Sequence, residues 1–378
     1  MQITKRPIRR REWVHRLRVG SVARATGPDA HTRRTLSELG DFTGWLSTYG
    51  VRGYVGEVGW PDDAKGDASK WNRLADTWFR RADRAGLWVT VWAAGEWWRT
   101  GYLLAPYEGS SGGAVDRSNT QACVIERHPG PPASLRGVSV AGGEFGAPEK
   151  DATSSFSNRN PGSYNVAYHF DTAATFAFLA GRGIRLVRIP FRWERLQPQP
   201  GGALDRNELR RIKAVAARAH HTGLLVVLDM HNFGAYYMSE GRRGVRRAIG
   251  SNRCTIADFA DVWRRISRSF HGVPGIVAYG LMNEPVGLPG VAGSSPAEVW
   301  RRASQAAVSA IRRTGDRTLV MVSGYGYAGT HDWKVVNPRP WIHDPAHHVR
   351  YEAHHYFDID HSGSYAMTYD EEEAALGG

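Results

Sequence analysis

The stretch "VRGYVGEVGWP", residues 51–61, reads as a short buried strand that delivers one carboxylate, Glu57, at its C-terminal end. Gly56 and Gly59 bracket that glutamate. An isolated acid at the end of an apolar strand is how parallel barrels present reactive groups. The next apolar run, "LWVTVWAAG" (87–95), reads the same way and carries Trp92 near its end. Between the two runs, Trp71, Leu74, Ala75, Trp78, Phe79 and Ala82 form one helical stripe, stopped by Gly86. Upstream, Leu36, Leu39, Phe42 and Leu46 predict a helix that closes at Gly50. Helix, strand, helix, strand implies parallel pairing.

A long loop follows, with a short helix around Asn119–Arg127 and a connector, "HPGPPAS" (128–134). The rhythm then restarts. Six further strands read as "LRGVSVAGG" (135–143), "IRLVRIPF" (184–191), "LLVVLDMH" (224–231), "GIVAYGLMNEP" (275–285), "TLVMVSG" (318–324) and "HVRYEAHHYFD" (348–358). Most are separated by amphipathic helices. One has Asp171 as its cap, and Asp205 with Glu208 predicts a capping box on another. A third carries Phe259, Val262, Trp263, Ile266 and Phe270 on one face. A fourth starts with Ser295, Pro296 and Glu298. Eight such strands predict an α/β fold, a closed (β/α)8 barrel. No glycine-rich phosphate loop follows any strand, which argues against a doubly wound nucleotide-binding sheet.

Residues 1–30 are arginine-rich and lack periodicity, and they read as a flexible basic extension. Residues 31–378 then read as one barrel: 31–127 with two strands, 128–134 as connector, 135–378 with six. The net charge of +12 has no accompanying aromatic-basic platform, so no nucleic-acid partner is expected. No apolar run approaches the roughly 18 residues of a membrane span, and no membrane partner is expected. The chain as given shows no signal peptide. Cys123 and Cys254 have no metal-site spacing and are not expected to pair; Cys254, like Cys123, is read onto a helix.

Every predicted strand ends on polar or aromatic residues: Glu57, Trp92, Glu144, Arg188, His231 with Asn232, Asn283 with Glu284, Ser323 with Tyr325 and Tyr327, and His354 with Tyr356. In a barrel these ends converge on one face. Two isolated glutamates among aromatics, without a metal-binding cluster, point to glycoside hydrolysis. No metal and no cofactor is expected. One carboxyl must be protonated and the other ionised, so their surroundings must push their pKa values apart. His354 and Tyr356, two apart on a strand, share a face. Glu352, earlier on that strand, reads as structural.

The motifs "RIPFRW", "LDMHNF", "GLMNEP", "AHHYFDIDHSG", "GEVGW" and "VWAAGEWW" resemble the strand-end motifs of glycoside hydrolase family 5, the cellulase-type retaining β-glycanases. The resemblance covers about residues 31–378. It implies Glu284 as acid/base and Glu57 as nucleophile. Arg188, His231, Asn283, His354 and Tyr356 would support them, and Trp92 would lie beneath the sugar at the cleavage point. Asn232, Glu144, Trp193, Tyr236 and Trp97 are the further expected substrate contacts. At Glu96 the resemblance leads one to expect proline, so Glu96 reads as a loop or subsite residue. "DIDHSG" (358–363) mimics the start of a calcium loop, but its twelfth position is Tyr369 rather than glutamate.

The strand order departs from the family, in which the Glu57 and Trp92 strands would come seventh and eighth. Circular permutation to the order 7-8-1-2-3-4-5-6 accounts for this. The seven connector residues reach about 23 Å when extended, enough to join the two parts, and exposed loops tolerate such cuts. The implied function is a retaining endo-β-1,4-glucanase acting on a β-glucan polysaccharide, as a monomer, with an extracellular location expected from the substrate. The alternatives are another β-glycan such as mannan, or a carbohydrate-binding barrel without turnover, assembling as a swapped dimer.

Overall fold

Eight parallel strands form the centre of the molecule in a computed structural model that describes residues 28–98, 101–110, 113–147, 155–290 and 293–377. They are β1 (Gly53–Gly59), β2 (Trp88–Ala94), β3 (Arg136–Val140), β4 (Leu186–Phe191), β5 (Leu225–Met230), β6 (Ile276–Gly280), β7 (Leu319–Ser323) and β8 (Val349–Tyr356). Each pairs with its neighbours in sequence, and β8 pairs with β1, so the sheet closes into a barrel. Outside it lie helices α1 (Ala30–Tyr49), α2 (Ala68–Arg84), α3 (Thr120–Arg127), α4 (Ala173–Gly181), α5 (Arg206–His221), α6 (Ile256–Phe270), α7 (Pro296–Arg312) and α8 (Tyr369–Gly377). The predicted (β/α)8 barrel is what the chain forms.

The apolar stripes explain how the layers join. Trp71, Trp78 and Phe79 of α2 and Phe259, Trp263 and Ile266 of α6 are fully buried between helices and barrel. A second, smaller core of Tyr54, Leu186, Val227, Ala278 and Met321 fills the barrel from within. Alternate strand residues point to each core, as the two-residue repeat requires.

Several local readings need correction. α1 starts at Ala30 rather than near Leu36, because Asp29 caps it by accepting from the Thr32 amide at 2.7 Å. The expected basic extension falls almost entirely on residues 1–27, which lie outside the described residues. Thr172, not Asp171, occupies the cap position of α4; the Asp171 side chain instead accepts from the Glu96 amide. Asp205 does cap α5, but Glu208 does not close the box, because Tyr168 and Arg211 hold its carboxylate. Cys254 precedes α6 rather than lying on a helix. The sequence reading also missed two hairpins, 107–118 and 235–248.

Gly50 ends α1 in the left-handed conformation (φ 62°), as predicted. Gly56 is required for a different reason: a Cβ there would stand 1.9 Å from Oε1 of Glu352. This glycine lets β1 lie against the buried Glu352 while Glu57 faces the cleft.

Candidate active site

The register between β1 and β8 sets Glu57 beside His354 and Gly59 beside Tyr356. Glu284 arrives from the opposite side, four residues past β6, with a backbone in the left-handed region (φ 44°). That conformation is uncommon for a residue with a side chain and is concentrated at functional sites. One carboxylate oxygen of Glu57, one of Glu284 and a ring nitrogen of His354 lie within 4.8 Å of one another.

Glu57 is almost fully buried and doubly held. Arg188 donates to Oε1 at 2.9 Å, and the Tyr356 hydroxyl donates to Oε2 at 2.6 Å. Burial alone would raise its pKa. The positive charges of His354 and Arg188, with the Tyr356 bond, outweigh burial and hold the carboxyl below its ordinary range. Glu284 goes the other way. Burial, reinforced by the charge of Glu57, raises it, although the 2.8 Å bond from His354 Nδ1 opposes the rise. Burial would lower His354, but Glu57, Glu284 and Glu352 around it push it up to about 10. It is therefore an imidazolium at neutral pH.

Arg188 is fully buried and would be costly there without partners. Besides Glu57 it reaches Asp229 at 3.1 Å, Asn283 Oδ1 at 2.6 Å and Glu352 at 3.5 Å. Asn283 in turn faces His231 Nε2 at 3.2 Å, and His231 Nδ1 lies 2.8 Å from Asp229. Burial lowers His231 far below its ordinary value. The neutral ring thus donates through Nδ1 to Asp229 and accepts at Nε2 from the Asn283 amide.

A cleft of about 430 Å³ opens over these groups, lined by Glu57, Glu284, Trp92, Trp98, Tyr102 and Glu144, among others. Trp92 lies flat against His231, with centroids 5.6 Å apart and planes at 24°, and its indole donates to the Tyr102 hydroxyl. Trp98 stacks on Tyr102 at 3.8 Å. The cleft thus has an aromatic wall facing a carboxylate pair, an arrangement that can hold a flat apolar ring face and work on a bond above the acids. A cation held by Glu57, Glu284 and His354 would have to replace the proton that His354 Nδ1 shares with Glu284.

The structure brings Glu57, Glu284, Arg188, His231, Asn283, His354, Tyr356, Trp92 and Glu144 to this one place. It does not bring the other expected contacts. Trp193 is fully buried against Tyr236 and Phe259, with its indole donating to Gln197. Tyr236 is equally buried and donates to the Gln197 carbonyl. Both belong to the packing under the 235–248 hairpin, so they are corrected from substrate contacts to core. Asn232 is also corrected: its amide binds Glu194 and the Ala235 carbonyl, and its oxygen accepts from the Trp193 amide. Trp97 stands outside the cleft lining, exposed, with its ring on His169 at 5.7 Å.

Glu96 is not a rival to Glu57. Burial works against its charge, but bonds from His169, Thr172 and Thr175 hold it down to about 2. Asp358, the first residue of the calcium-like "DIDHSG", accepts from Ser362, Gly363 and Tyr365 of its own loop. That loop lays Ser362 and Gly363 along the cleft. Sequence reasoning overlooked Asp229 and undervalued Glu352. Each lies two residues before a site histidine, on or just past the same strand, and that alternation was the available signal.

The geometry agrees with what the chain resembles elsewhere. Among solved structures, the Pseudomonas stutzeri endoglucanase Cel5A in complex with cellobiose is 36% identical, with a TM-score of 0.52 over 61% of this chain and 62% of that one. An endo-beta-1,4-glucanase from Xanthomonas axonopodis pv. citri is 31% identical, with a TM-score of 0.51 over 63% of this chain and 71% of that one. A probable endo-beta-1,4-glucanase B of Aspergillus oryzae is 27% identical over 231 residues, 60% of each chain. The chain spans about three fifths of the length of the curated relatives it matches. Residues 134–376, more than half of the chain, match the family model for cellulase (glycosyl hydrolase family 5), and the chain belongs to that family.

Proposed function

We propose that this protein is a retaining endo-β-1,4-glucanase that cleaves internal bonds of a β-glucan polysaccharide by double displacement. The observation that carries the reading is the opposed setting of two neighbouring glutamates: Glu57 held ionised by Arg188 and Tyr356, Glu284 raised by burial and by Glu57 itself. Their closeness, with oxygens within 4.8 Å of a shared His354 nitrogen, suits a retaining pair, whose carboxyls stand about 5–5.5 Å apart.

In the first step a Glu57 oxygen attacks the anomeric carbon as its bond to the leaving oxygen breaks. Glu284 transfers its proton to that oxygen. In the second step Glu284, now ionised, takes a proton from water. The water oxygen forms the new bond to the anomeric carbon, and Glu57 leaves as carboxylate. His354 holds Glu284 in position for both steps, and Asn283 and Trp92 would bind the reacting sugar. The similar proteins named above, endoglucanases all, support the β-1,4-glucan assignment. Following the anomer of the first product by proton NMR on a soluble cello-oligosaccharide tests the chemistry. A first-formed product of inverted configuration would sink it.

The permuted strand order belongs to the same proposal. The family match starts inside the connector and leaves β1 and β2 outside it. Yet those two strands supply Glu57 and Trp92 to the cleft. Moving residues 31–127 behind residue 378 and realigning with the family should extend the likeness over all eight strands. We also take the working form to be a monomer, which light scattering of the active fraction would check.

A further inference from the structure

Beside the cleft, three ionisable side chains meet that have no part in the chemistry above. Glu96 lies in the loop after β2, and His169 and Asp171 lie in the segment leading into α4. One ligand atom from each lies within 4.8 Å of the others.

Glu96 and Asp171 are each held through one oxygen, and the other Glu96 oxygen is bonded to His169 Nε2 at 3.0 Å. Glu96 Oε1 accepts from the Thr172 amide at 2.8 Å, the Thr172 hydroxyl at 2.5 Å and the Thr175 hydroxyl at 2.6 Å. Asp171 Oδ1 accepts from the Glu96 amide at 3.2 Å. His169 Nδ1 lies 3.2 Å from Asn165 Oδ1, which can accept a hydrogen bond from it and leave Nε2 to ligate when an ion replaces its bond to Glu96. The atoms an ion would take are Glu96 Oε2 and His169 Nε2, bonded to each other in its absence, and the unpartnered Asp171 Oδ2. Asp171 is only 3% exposed, and its Oδ2 has no hydrogen-bond partner among the described residues. A buried carboxylate oxygen without a partner is costly unless something positive meets it. Fixing the far side of each ligand is what outer-shell partners do at metal sites.

The spacing narrows the ion. His169 Nε2 and Glu96 Oε2 are 3.0 Å apart. Two ligands about 2.1 Å from one ion are about 3.0 Å apart at a right angle and about 3.4 Å apart at the tetrahedral angle. The 3.0 Å contact is a hydrogen bond, and its length also matches two right-angled ligands, so an ion can replace the shared proton with little movement; one imidazole with two carboxylates favours a first-row transition ion over calcium or magnesium.

We propose that Glu96, His169 and Asp171 bind one divalent first-row transition cation, for which manganese serves as the probe. Water completes the shell on the side where His169 is partly exposed. This departs from the expectation, drawn from the sequence, of no metal. The ion acts structurally: it ties the loop that carries Trp98, a wall of the cleft, to the start of α4. The site is independent of the hydrolytic reading.

Protein stripped with EDTA and titrated with manganese chloride by calorimetry should take up one ion per chain and melt several degrees higher with it. Asp171→Asn keeps an oxygen for the Glu96 amide, and should weaken uptake by more than about tenfold and remove the shift in melting. Glu284→Gln should leave both intact, which separates this site from the cluster of Glu57, Glu284 and His354. If Asp171→Asn melts low without metal, His169→Gln takes its place in the same test. No uptake by the stripped protein at millimolar manganese overturns the proposal. So does uptake that survives the substitution, while a His169–Glu96 ion pair alone would give the first of these results.

Discussion

Tyr356 donates its hydroxyl to Oε2 of Glu57 at 2.6 Å, across the register that pairs β8 with β1. The bond helps hold Glu57 below the ordinary carboxylate range, and its loss should be visible in kinetics. A hydrogen bond to a charged group contributes about 1.5–3 kcal/mol. Tyr356→Phe should therefore lower kcat about 10- to 100-fold on a soluble β-glucan. Without the bond, Glu57 protonates at higher pH. The acid limb of the kcat/KM profile, which reports the free enzyme's base, should move upward. An unmoved acid limb would refute this role for Tyr356.

The two glutamates should separate by leaving group. Glu284→Gln removes proton donation, a loss of about 10²–10⁴ in rate on natural glucan. An activated aryl cellobioside needs no acid and should recover most of the first step. Glu57→Gln removes the attacking carboxylate and should be inactive on both. Equal losses on both substrates for Glu284→Gln would contradict the assignment.

Trp193 and Trp98 should fail in opposite ways. Trp193 is fully enclosed, and deleting a buried Trp side chain typically costs about 3–5 kcal/mol. Trp193→Ala should melt much lower, with an unchanged KM in whatever remains folded. Trp98→Ala should keep most of its stability and raise KM, because its ring lines the cleft. Melting curves beside Michaelis plots decide the matter.

Arg312 clamps Asp344 ahead of β8 through paired bonds of 2.9 and 3.0 Å. Burial opposes the charge, but these bonds and the amides of His348 and Ala346 hold Asp344 at about 2, against 3.8 ordinarily. A folded pKa below the unfolded one gives stability that is full above pH 3.8 and is lost as pH falls through 2. Unscreened, the difference corresponds to about 2 kcal/mol, and solvent screening at this part-buried pair reduces it to about 1 kcal/mol. Asp344→Asn should lose stability of that order at pH 7 and match the parent near pH 2. Denaturant titrations at both pH values would show it.

Much of this was legible in the chain. Apolar runs with a two-residue alternation, separated by amphipathic stripes, can bury both faces of a parallel sheet only between helices. That fixed eight strands and a barrel, and with it the face on which Glu57, Glu284, His354 and Tyr356 meet. The strand ends were visible because a carboxylate has no local structural reason to end an apolar run.

The loops were not legible in this way. Trp98, Trp97 and Trp193 are the same residue type after the same kind of strand. Yet one lines the cleft, one stands outside it and one is core. Their fates depend on a hairpin at 235–248 that closes over Trp193, and on Tyr102 stacking under Trp98. Asp171, which reads as a helix cap, is drawn instead to the Glu96 amide, 75 residues away in sequence. Sequence determines which face of an element is apolar, because periodicity is local. Which partner a loop side chain finds is settled by distant segments arriving at the same place, and only the tertiary structure decides that.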